Sequence, residues 1–312
     1  MSIRLTTSDI VKATGGRLVT GYALAMMELV CLDSRKATPG SIFVPLKGKR
    51  RDGHSFIGDA FKRGASAAFV KRGSSVLSTV KKKHTGKNLI EVDDPLAAMG
   101  EIARYWRQKL RLPVVAIAGS QTALTRDLAW HIAREPLVAY KSRDDWNDLV
   151  GLPRCLCELE GGHKAAILEM GMNGPEGIRR LAEICDPTIG IITDGGSSGQ
   201  GGVELVRHLG AGHTVLLNSD NPSYAALAKE TSAMVVTFGT KKADIHTRSI
   251  RPAKGGRTAF DLHVRDEKAH VTMKTDDPSV LDSVPGAAAV AHVLGVGTEL
   301  IKAGLEQYPR QE

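Results

Sequence analysis

The run Gly119–Thr125, which reads GSQTALT, has the position of a catalytic loop in this sequence. It follows an apolar stretch, VVAIA, and precedes a helical pattern that continues to Ala133, so it joins a predicted strand to a predicted helix. Phosphate-binding loops of this kind need glycine for close backbone approach, lysine for the phosphates and a hydroxyl group for Mg²⁺. Gly119 meets the first need, but the run contains no lysine. The pattern therefore predicts a nucleotide-type turn whose chemistry is incomplete.

A second candidate site lies at residues 33–54, where DSR at 33–35 is followed by KGKRRDGH at 47–54. A loop rich in glycine and cations offers backbone N–H groups and positive charge to a diphosphate. The candidate ligand-binding residues are Ser34, Arg35, Lys47, Asp52, Gly53 and His54. The alternative is that the two motifs only form tight turns, in which Asp33 and Asp52 bind their own backbone.

The composition is that of a folded chain long enough for two domains. Of its 312 residues, 42% are hydrophobic and 24% charged, which excludes disordered, collagen-like and coiled-coil classes. No apolar run reaches the roughly 18 to 20 residues needed to cross a bilayer, and the start lacks the apolar core of a secretory signal. Four cysteines without zinc-site spacing predict free thiols, no metal and a cytoplasmic location.

The charge balance favours a polyanionic partner. The net charge is +8 and the sequence pI is about 9.3, which suits a nucleic acid, a membrane surface or a phosphorylated metabolite. The basic clusters at 47–51 and 81–84 have no interleaved aromatic residues of the kind that stack on bases. Nucleic acid is therefore the weakest of these options.

Short apolar runs alternate with helical patterns along the chain, which indicates an α/β fold. After a small α/β unit, the predicted strands are 114–119, 165–168, 189–193, 215–217 and 234–238. Strands separated by helices predict a doubly wound, mostly parallel sheet. Residues 245–274 contain a β-like alternation, and an alanine-rich helix is predicted at 286–294.

Residues 33–70 closely resemble the N-terminal uridine-nucleotide-binding domain of the Mur ligases, most of all that of their MurF branch. Further similarity lies in NDLVGLP at 147–153 and ILEMGMN at 167–173. MurF adds D-alanyl-D-alanine to UDP-N-acetylmuramoyl-tripeptide. The resemblance implies a UDP-binding domain at 1–111 and a P-loop-like central domain at 112–312. It also implies that Asn147 contacts substrate and that Glu169 corresponds to a Mg²⁺ carboxylate.

The resemblance is broken in the loop itself, where the family pattern is G-[ST]-x-G-K-[ST]-[ST]. Thr122 stands in place of the second glycine, Ala123 in place of the lysine and Leu124 in place of the Mg²⁺-binding hydroxyl. Thr125 is the remaining hydroxyl, but it lies one position late and on a different helix face. Losing one charge-stabilising group costs on the order of 10²–10³ in rate, so losing the cation and the metal ligand together should abolish ordinary ATP use.

Other family features are also missing. No histidine lies in 194–201, no lysine lies in 203–213, and SVLDS at 279–283 replaces the HNxxN motif that contacts ATP. The family's C-terminal domain is expected to be absent as well. We therefore predict no cofactor, because neither ATP nor Mg²⁺ should bind in the family manner.

Three functions remain open. The first is a pseudoligase of peptidoglycan metabolism that binds a UDP-linked cell-wall precursor and regulates or docks onto an active Mur ligase, another cell-wall protein or its own copies. The second is a partner-dependent or repurposed amide ligase of cell-wall or natural-product biosynthesis, using residues such as Glu169, Asp194, His54 and Asn147. The third is a basic nucleic-acid-binding protein.

Overall fold

A computed structural model describes residues 3–48, 51–171, 174–193 and 200–309 and divides the chain into two compact units. The first unit comprises Met1–Arg111 with Leu149–Glu160, and the second comprises Leu112–Asp148 with Gly161–Glu312.

The elements of the first 111 residues are, in chain order, β1 (Leu5–Thr6), α1 (Thr7–Thr14), β2 (Arg17–Thr20), β3 (Met26–Met27), β4 (Leu29–Cys31), β5 (Ser41–Phe43), α2 (Ile57–Lys62), β6 (Ala67–Lys71), α3 (Leu77–Lys83), β7 (Asn88–Val92) and α4 (Pro95–Leu110). Two 3-10 turns, Ser34–Lys36 and Gly53–Phe56, lie between these elements.

The remaining elements are β8 (Val114–Ala118), α5 (Thr122–Leu137), β9 (Tyr140–Lys141), α6 (Gly151–Cys157), β10 (Ala166–Glu169), α7 (Gly174–Cys185), β11 (Ile189–Ile192), α8 (Gln200–His208), β12 (Thr214–Asn218), α9 (Tyr224–Leu227), β13 (Met234–Gly239), β14 (Ile245–Ala253), β15 (Arg257–Val264), β16 (Glu267–Met273), α10 (Pro278–Val293) and α11 (Thr298–Gln307). A third 3-10 turn spans Ala228–Glu230.

The first unit is built on a five-stranded sheet in the order β2-β7-β6-β5-β4, in which only the β2–β7 pair is antiparallel. Phe43, Ile57, Phe61 and Val70 belong to the buried cluster that holds α2 against this sheet. The two 3-10 turns lie on either side of β5 along the chain. The sheet and α2 therefore position the DSR and DGH motifs.

Helix α6 packs with the first unit. The boundary predicted after residue 111 assigns residues 149–160 to the second domain, whereas their contacts group them with the first unit. Leu152, Cys155 and Leu156 are fully buried in α6, which packs against α4. The Trp106 indole Nε1 also donates a hydrogen bond to the Leu159 carbonyl at 2.9 Å. An apolar helix packs against the element that can bury its apolar surface, and for α6 this element is α4.

The second unit contains a nine-stranded sheet in the order β16-β15-β14-β13-β12-β11-β8-β10-β9. The strands from β9 to β14 pair in parallel, and β14 to β16 form an antiparallel extension. Ile191 contributes to the core with α5 and α10, while its neighbour Gly190 lies against Leu209 at the end of α8. Adjacent residues of a strand point to opposite faces, so helices cover both faces of the sheet. This confirms the predicted α/β, doubly wound, mostly parallel fold.

The carboxyl ends of parallel strands meet at one edge of such a sheet, which is where ligands bind in this architecture. Gly119 follows β8, Glu169 ends β10 and Thr193 follows β11, and β8 lies between the other two strands. No helix in the described parts of the chain is long and apolar enough to cross a membrane.

Candidate functional site

The first unit contains a cavity of about 830 Å³ between the DSR and DGH motifs. Its floor includes the apolar side chains of Leu32, Phe43, Leu46 and Phe56. The charged side chains among its described lining residues are four cations and two carboxylates: Arg35, Arg51, Lys62, Arg63, Asp33 and Asp59. The lining therefore has a net charge of +2, which complements a diphosphate diester.

The Ser34–Lys36 turn is stabilised by Asp33, as the turn alternative predicted. The Asp33 carboxylate accepts a hydrogen bond from the Arg35 backbone N–H at 3.0 Å and binds the Arg35 guanidinium through two nitrogens, at 2.9 and 2.8 Å. These side-chain hydrogen bonds lower the pKa of Asp33 to about 2. Arg35 is 80% exposed and Ser34 is half-buried, and both line the cavity.

The Gly53–Phe56 turn is stabilised in the same way by Asp52. Its carboxylate accepts hydrogen bonds from the His54 backbone N–H at 2.9 Å and from His54 Nδ1 at 2.6 Å, and the backbone bond in particular lowers the pKa of Asp52. His54 Nε2 accepts the Lys71 backbone N–H at 3.0 Å, so the ring proton lies on Nδ1. His54 is buried with both ring nitrogens engaged. In this arrangement it shapes the turn, and its predicted contact with UDP stays a prediction.

Gly53 has a steric reason to be glycine. Its N–H donates to the Leu46 carbonyl at 3.0 Å, and a Cβ there would lie 2.6 Å from that oxygen and 2.7 Å from the Leu46 nitrogen. Lys47, which is exposed, pairs with Asp52 in an isolated β-bridge beside this contact. The close approach of two backbone segments thus forms one wall of the cavity.

We expect Gly53→Ala to destabilise the first unit by about 1–3 kcal/mol, because both backbone segments must move apart. It should also weaken UDP-sugar binding. Gly58→Ala, in α2, is the matched control: its Cβ would meet only His84 at 3.6 Å, and alanine favours a helix. Chemical denaturation and calorimetry of the two variants measure both effects. Equal behaviour of the two variants would contradict the steric role of Gly53.

In the second unit the loop after β8 turns the chain directly into α5 through two residues with positive φ. Gly119 has φ of +125° and Gln121 has φ of +49°, and α5 begins at Thr122. The Thr193 hydroxyl donates to the Ser120 carbonyl at 2.5 Å, which ties the loop to the end of β11. This hydrogen bond therefore fixes the loop to the end of the neighbouring strand.

The side chains of this loop differ from the family pattern at the positions of the lysine and of the Mg²⁺-binding hydroxyl. Ala123 is exposed at the start of α5, where the family has its lysine, and Leu124 packs against the hydrophobic core. Thr125 is 3% exposed, and its methyl group faces Gly286 of α10. Thr125 is therefore buried among its own chain and does not face solvent.

Glu169 is bound by three side chains of its own chain. Its Oε1 accepts the Thr122 hydroxyl at 3.1 Å and the Asn147 amide Nδ2 at 3.0 Å, and its Oε2 accepts Arg126 Nη1 at 3.0 Å. The Glu169 backbone N–H also donates to Ser142 Oγ at 3.1 Å. Glu169 is 9% exposed, so these donors replace water around its carboxylate.

Arg126 connects this carboxylate to two others. Its side chain is 2% exposed, and its Nη2 donates to Asp127 at 2.8 Å and to Asp144 at 2.5 Å. Lys141 Nζ binds the same Asp127 oxygen at 2.8 Å. Burial opposes the charge of Arg126, yet its bonds to Asp127, with the charge of Glu169 and a bond to Asp144, outweigh burial and raise its pKa. We call Arg126, Asp127, Asp144 and Glu169 the Arg126 cluster.

These residues do not fit the Mg²⁺ and ATP that the resemblance implies. Both oxygens of Glu169 accept hydrogen bonds from side chains of the protein. The cation bound to its Oε2 is the guanidinium of Arg126. Within the described residues, no group of three or more His, Cys, Asp or Glu side chains is arranged to hold a metal ion. Three carboxylates against two cations around Arg126 would repel a triphosphate.

The structure separates the predicted site residues into two sets. Ser34, Arg35 and Gly53 line the cavity of the first unit. Asn147 lies in the second unit, where its amide binds Glu169, and its predicted contact with substrate stays a prediction. Asp194 lies outside the described residues.

The sequence reasoning missed Arg126 and Asp144. One signal was available for the first: Arg126 is four residues after Thr122, so the two side chains share a face of α5. That spacing could have paired Arg126 with the loop, although it could not have identified Glu169 as the partner.

Two protein-family models match the chain. The model of the Mur ligase family, catalytic domain, matches residues 27–107, and the model of the Mur ligase middle domain matches residues 101–198. Together they cover more than half of the chain.

The curated relatives that match the chain are ligases by name. The chain is 32% identical over 236 residues to the UDP-N-acetylmuramoyl-tripeptide–D-alanyl-D-alanine ligase of Synechocystis sp., covering 70% of this chain and 49% of the relative. It is 25% identical over 321 residues to the ligase of the same name from Haemophilus influenzae, covering 98% and 68%. The chain thus spans about half the length of the first relative and about two thirds of the second.

Solved structures share the fold. MurF from Acinetobacter baumannii superposes with a TM-score of 0.88 at 24% identity, covering 99% of this chain and 68% of that chain. The MurF ligase from Thermotoga maritima in complex with ADP gives a TM-score of 0.78 at 19% identity, covering 90% and 66%. At these identities the structures establish the fold alone.

Proposed function

The chain belongs to the Mur ligase family, and we propose that it binds a UDP-linked peptidoglycan precursor without catalysing ATP-dependent ligation. It acts as a MurF-like pseudoligase that regulates precursor use or serves as a scaffold for an active Mur ligase, another cell-wall protein or its own copies. We place it in the cytoplasm, and its four buried free cysteines support a reducing compartment.

The cavity of the first unit supports the binding half of this proposal. A cation-rich lining suits the diphosphate, and the apolar side chains Phe43, Leu46 and Phe56 offer a surface to the uracil ring. The relatives from Synechocystis sp. and Haemophilus influenzae are named for a UDP-N-acetylmuramoyl-tripeptide substrate. UDP-N-acetylmuramoyl-tripeptide or a related UDP-sugar is therefore the proposed ligand.

The observation that carries the loss of ligation is the state of Glu169. Its carboxylate is bound by Thr122, Arg126 and Asn147, and the loop beside it presents Ala123 instead of a lysine. Phosphoryl transfer depends on cations placed around the phosphates. The loop 119–125 contains no cationic side chain, and Arg126, the residue that follows it, is paired with three carboxylates.

Calorimetry tests both halves of the proposal. We expect UDP-N-acetylmuramoyl-tripeptide to bind and Mg²⁺-ATP to give no heat beyond dilution, because the cavity of the first unit has a cation-rich lining, whereas Glu169 in the second unit is already bound by Thr122, Arg126 and Asn147. UDP alone and UDP-N-acetylglucosamine separate recognition of the nucleotide from recognition of the sugar peptide. Tight ATP binding, or failure of every UDP-sugar to bind, contradicts the proposal.

A second candidate is a Mur-type amide ligase that a partner protein completes. It is favoured by the names of the relatives, by the preserved turn at Gly119 and by the retention of Glu169 at the end of β10. Phosphate release from ATP, measured with an active Mur ligase or a candidate partner present, tests it. Turnover that Glu169→Ala abolishes would favour this ligase, and its absence favours the pseudoligase.

A further inference from the structure

The Arg126 cluster is built around a charge that few buried sites tolerate. Arg126 is among the largest fully buried side chains of the described chain, and all three of its guanidinium nitrogens donate to carboxylates. A buried cation is stable only if its hydrogen bonds replace those it made with water. The three carboxylates meet this condition for Arg126.

The cation matters most to Glu169, whose side chain is 12% exposed, whereas that of Asp144 is 80% exposed. Glu169 Oε2 and Asp144 Oδ1 bind different nitrogens of the same guanidinium, at 3.0 and 2.5 Å, so the two acids lie close together. Asp127 binds the remaining side of the group. Without a positive charge between them, Glu169 and Asp144 would repel one another and Glu169 would keep only its neutral donors.

Carboxylates that converge at a strand end beside a phosphate-binding turn usually bind a divalent metal, which offsets their mutual repulsion. Here the positive charge comes instead from a side chain one helical turn into α5, on the same face as Thr122. Thr122 and Asn147 complete the ring of donors around Glu169.

We propose that Arg126 is a resident cation that takes the place of a divalent metal at Glu169 and keeps the loop-bearing edge of the second unit ordered without nucleotide or metal. This inference rests on the part of the proposed function that concerns the lost ATP site. It adds the reason why metal is excluded. The Arg126 guanidinium is part of the chain, so it is always present at the position between the carboxylates where a metal would bind.

Mn²⁺ binding tests the proposal, followed by electron paramagnetic resonance on the full chain. We expect the wild type to bind no Mn²⁺ in about the 0.1–1 mM range of weak carboxylate sites. Arg126→Gln removes the charge and should gain one Mn²⁺ site in that range. The double variant Arg126→Gln/Glu169→Gln should lose the gained site, and Arg126→Lys, which keeps a cation, should exclude Mn²⁺ as the wild type does.

Arg207→Gln is the matched control, because it removes an arginine with two carboxylate partners from the surface of the same unit. It should gain no site. If Arg126→Gln does not fold alone, the proposal requires millimolar Mn²⁺ to restore its folding, and failure to do so overturns it. Mn²⁺ binding by the wild type, or a gained site that persists in the double variant, also overturns it.

These outcomes are separate from those for the UDP-sugar. Mn²⁺ bound at Glu169 of the wild type refutes the resident-cation role while leaving UDP binding by the first unit intact. Loss of all UDP-sugar binding with Mn²⁺ still excluded refutes the proposed function and leaves the role of Arg126 standing.

Discussion

Replacing Arg126 with leucine is expected to lower the free energy of unfolding by about 3–5 kcal/mol, the cost of leaving a buried charge without its partner. Glu169 would keep Thr122 and Asn147 as donors but would lose its only charged partner among the described residues, while Asp144 would lose its shortest hydrogen bond. Urea denaturation followed by far-ultraviolet circular dichroism measures the change.

The control for this substitution is Arg207→Leu. Arg207 also binds two carboxylates, Glu204 and Glu230, but its side chain is 55% exposed. Exposed ion pairs contribute about 0–1 kcal/mol, so the control should change stability by no more than that. Similar losses in the two variants would show that the Arg126 cluster contributes no more than an ordinary surface pair.

Removing two cations from the cavity of the first unit should weaken UDP-sugar binding by about 100-fold or more. Arg51 and Arg63 are both exposed and line the cavity. A hydrogen bond to a charged group contributes about 1.5–3 kcal/mol, and each 1.4 kcal/mol is about tenfold in affinity. Calorimetry of Arg51→Ala/Arg63→Ala with UDP-N-acetylmuramoyl-tripeptide measures the loss.

The matched control is Lys82→Ala/Lys83→Ala, which removes the same amount of charge from exposed positions in α3 of the same unit. These lysines are not among the residues that line the cavity. Their removal should leave UDP-sugar affinity within about twofold, because salt screens exposed charges that make no direct contact with the ligand. An equal loss in both variants would mean that binding depends on net charge and not on the cavity.

The predicted strands were close to those observed because short apolar runs between helical patterns leave few alternatives. The strand predicted at 114–119 is β8, and the one predicted at 234–238 is β13. The helix predicted at 286–294 is α10, but α10 begins at Pro278. Asp277 caps it and Pro285 lies inside it, and a helix buried on nearly every side has no polar face to reveal its period.

The candidate sites were predictable to different degrees. The DSR and DGH motifs are local: Asp33 and Asp52 bind backbone N–H groups two residues away, so their turns follow from the residues themselves. The hydrogen bond between Asn147 and Glu169 was not predicted, because it spans 22 residues. No periodicity within either segment encodes that contact.

By itself, the sequence determined the family, the α/β class, the absence of lysine from the loop after β8 and the presence of Leu124 where the family pattern has its Mg²⁺-binding hydroxyl. These properties depend on residue types and on contacts between near neighbours. Only the tertiary structure decided which side chains bind the carboxylate of Glu169. Its partner Arg126 is 43 residues earlier in the chain, and the two meet because β10 pairs with β8 and α5 begins immediately after the β8 loop. A long-range ion pair is set by the order of strands in a sheet, which the amino-acid pattern of each strand does not contain.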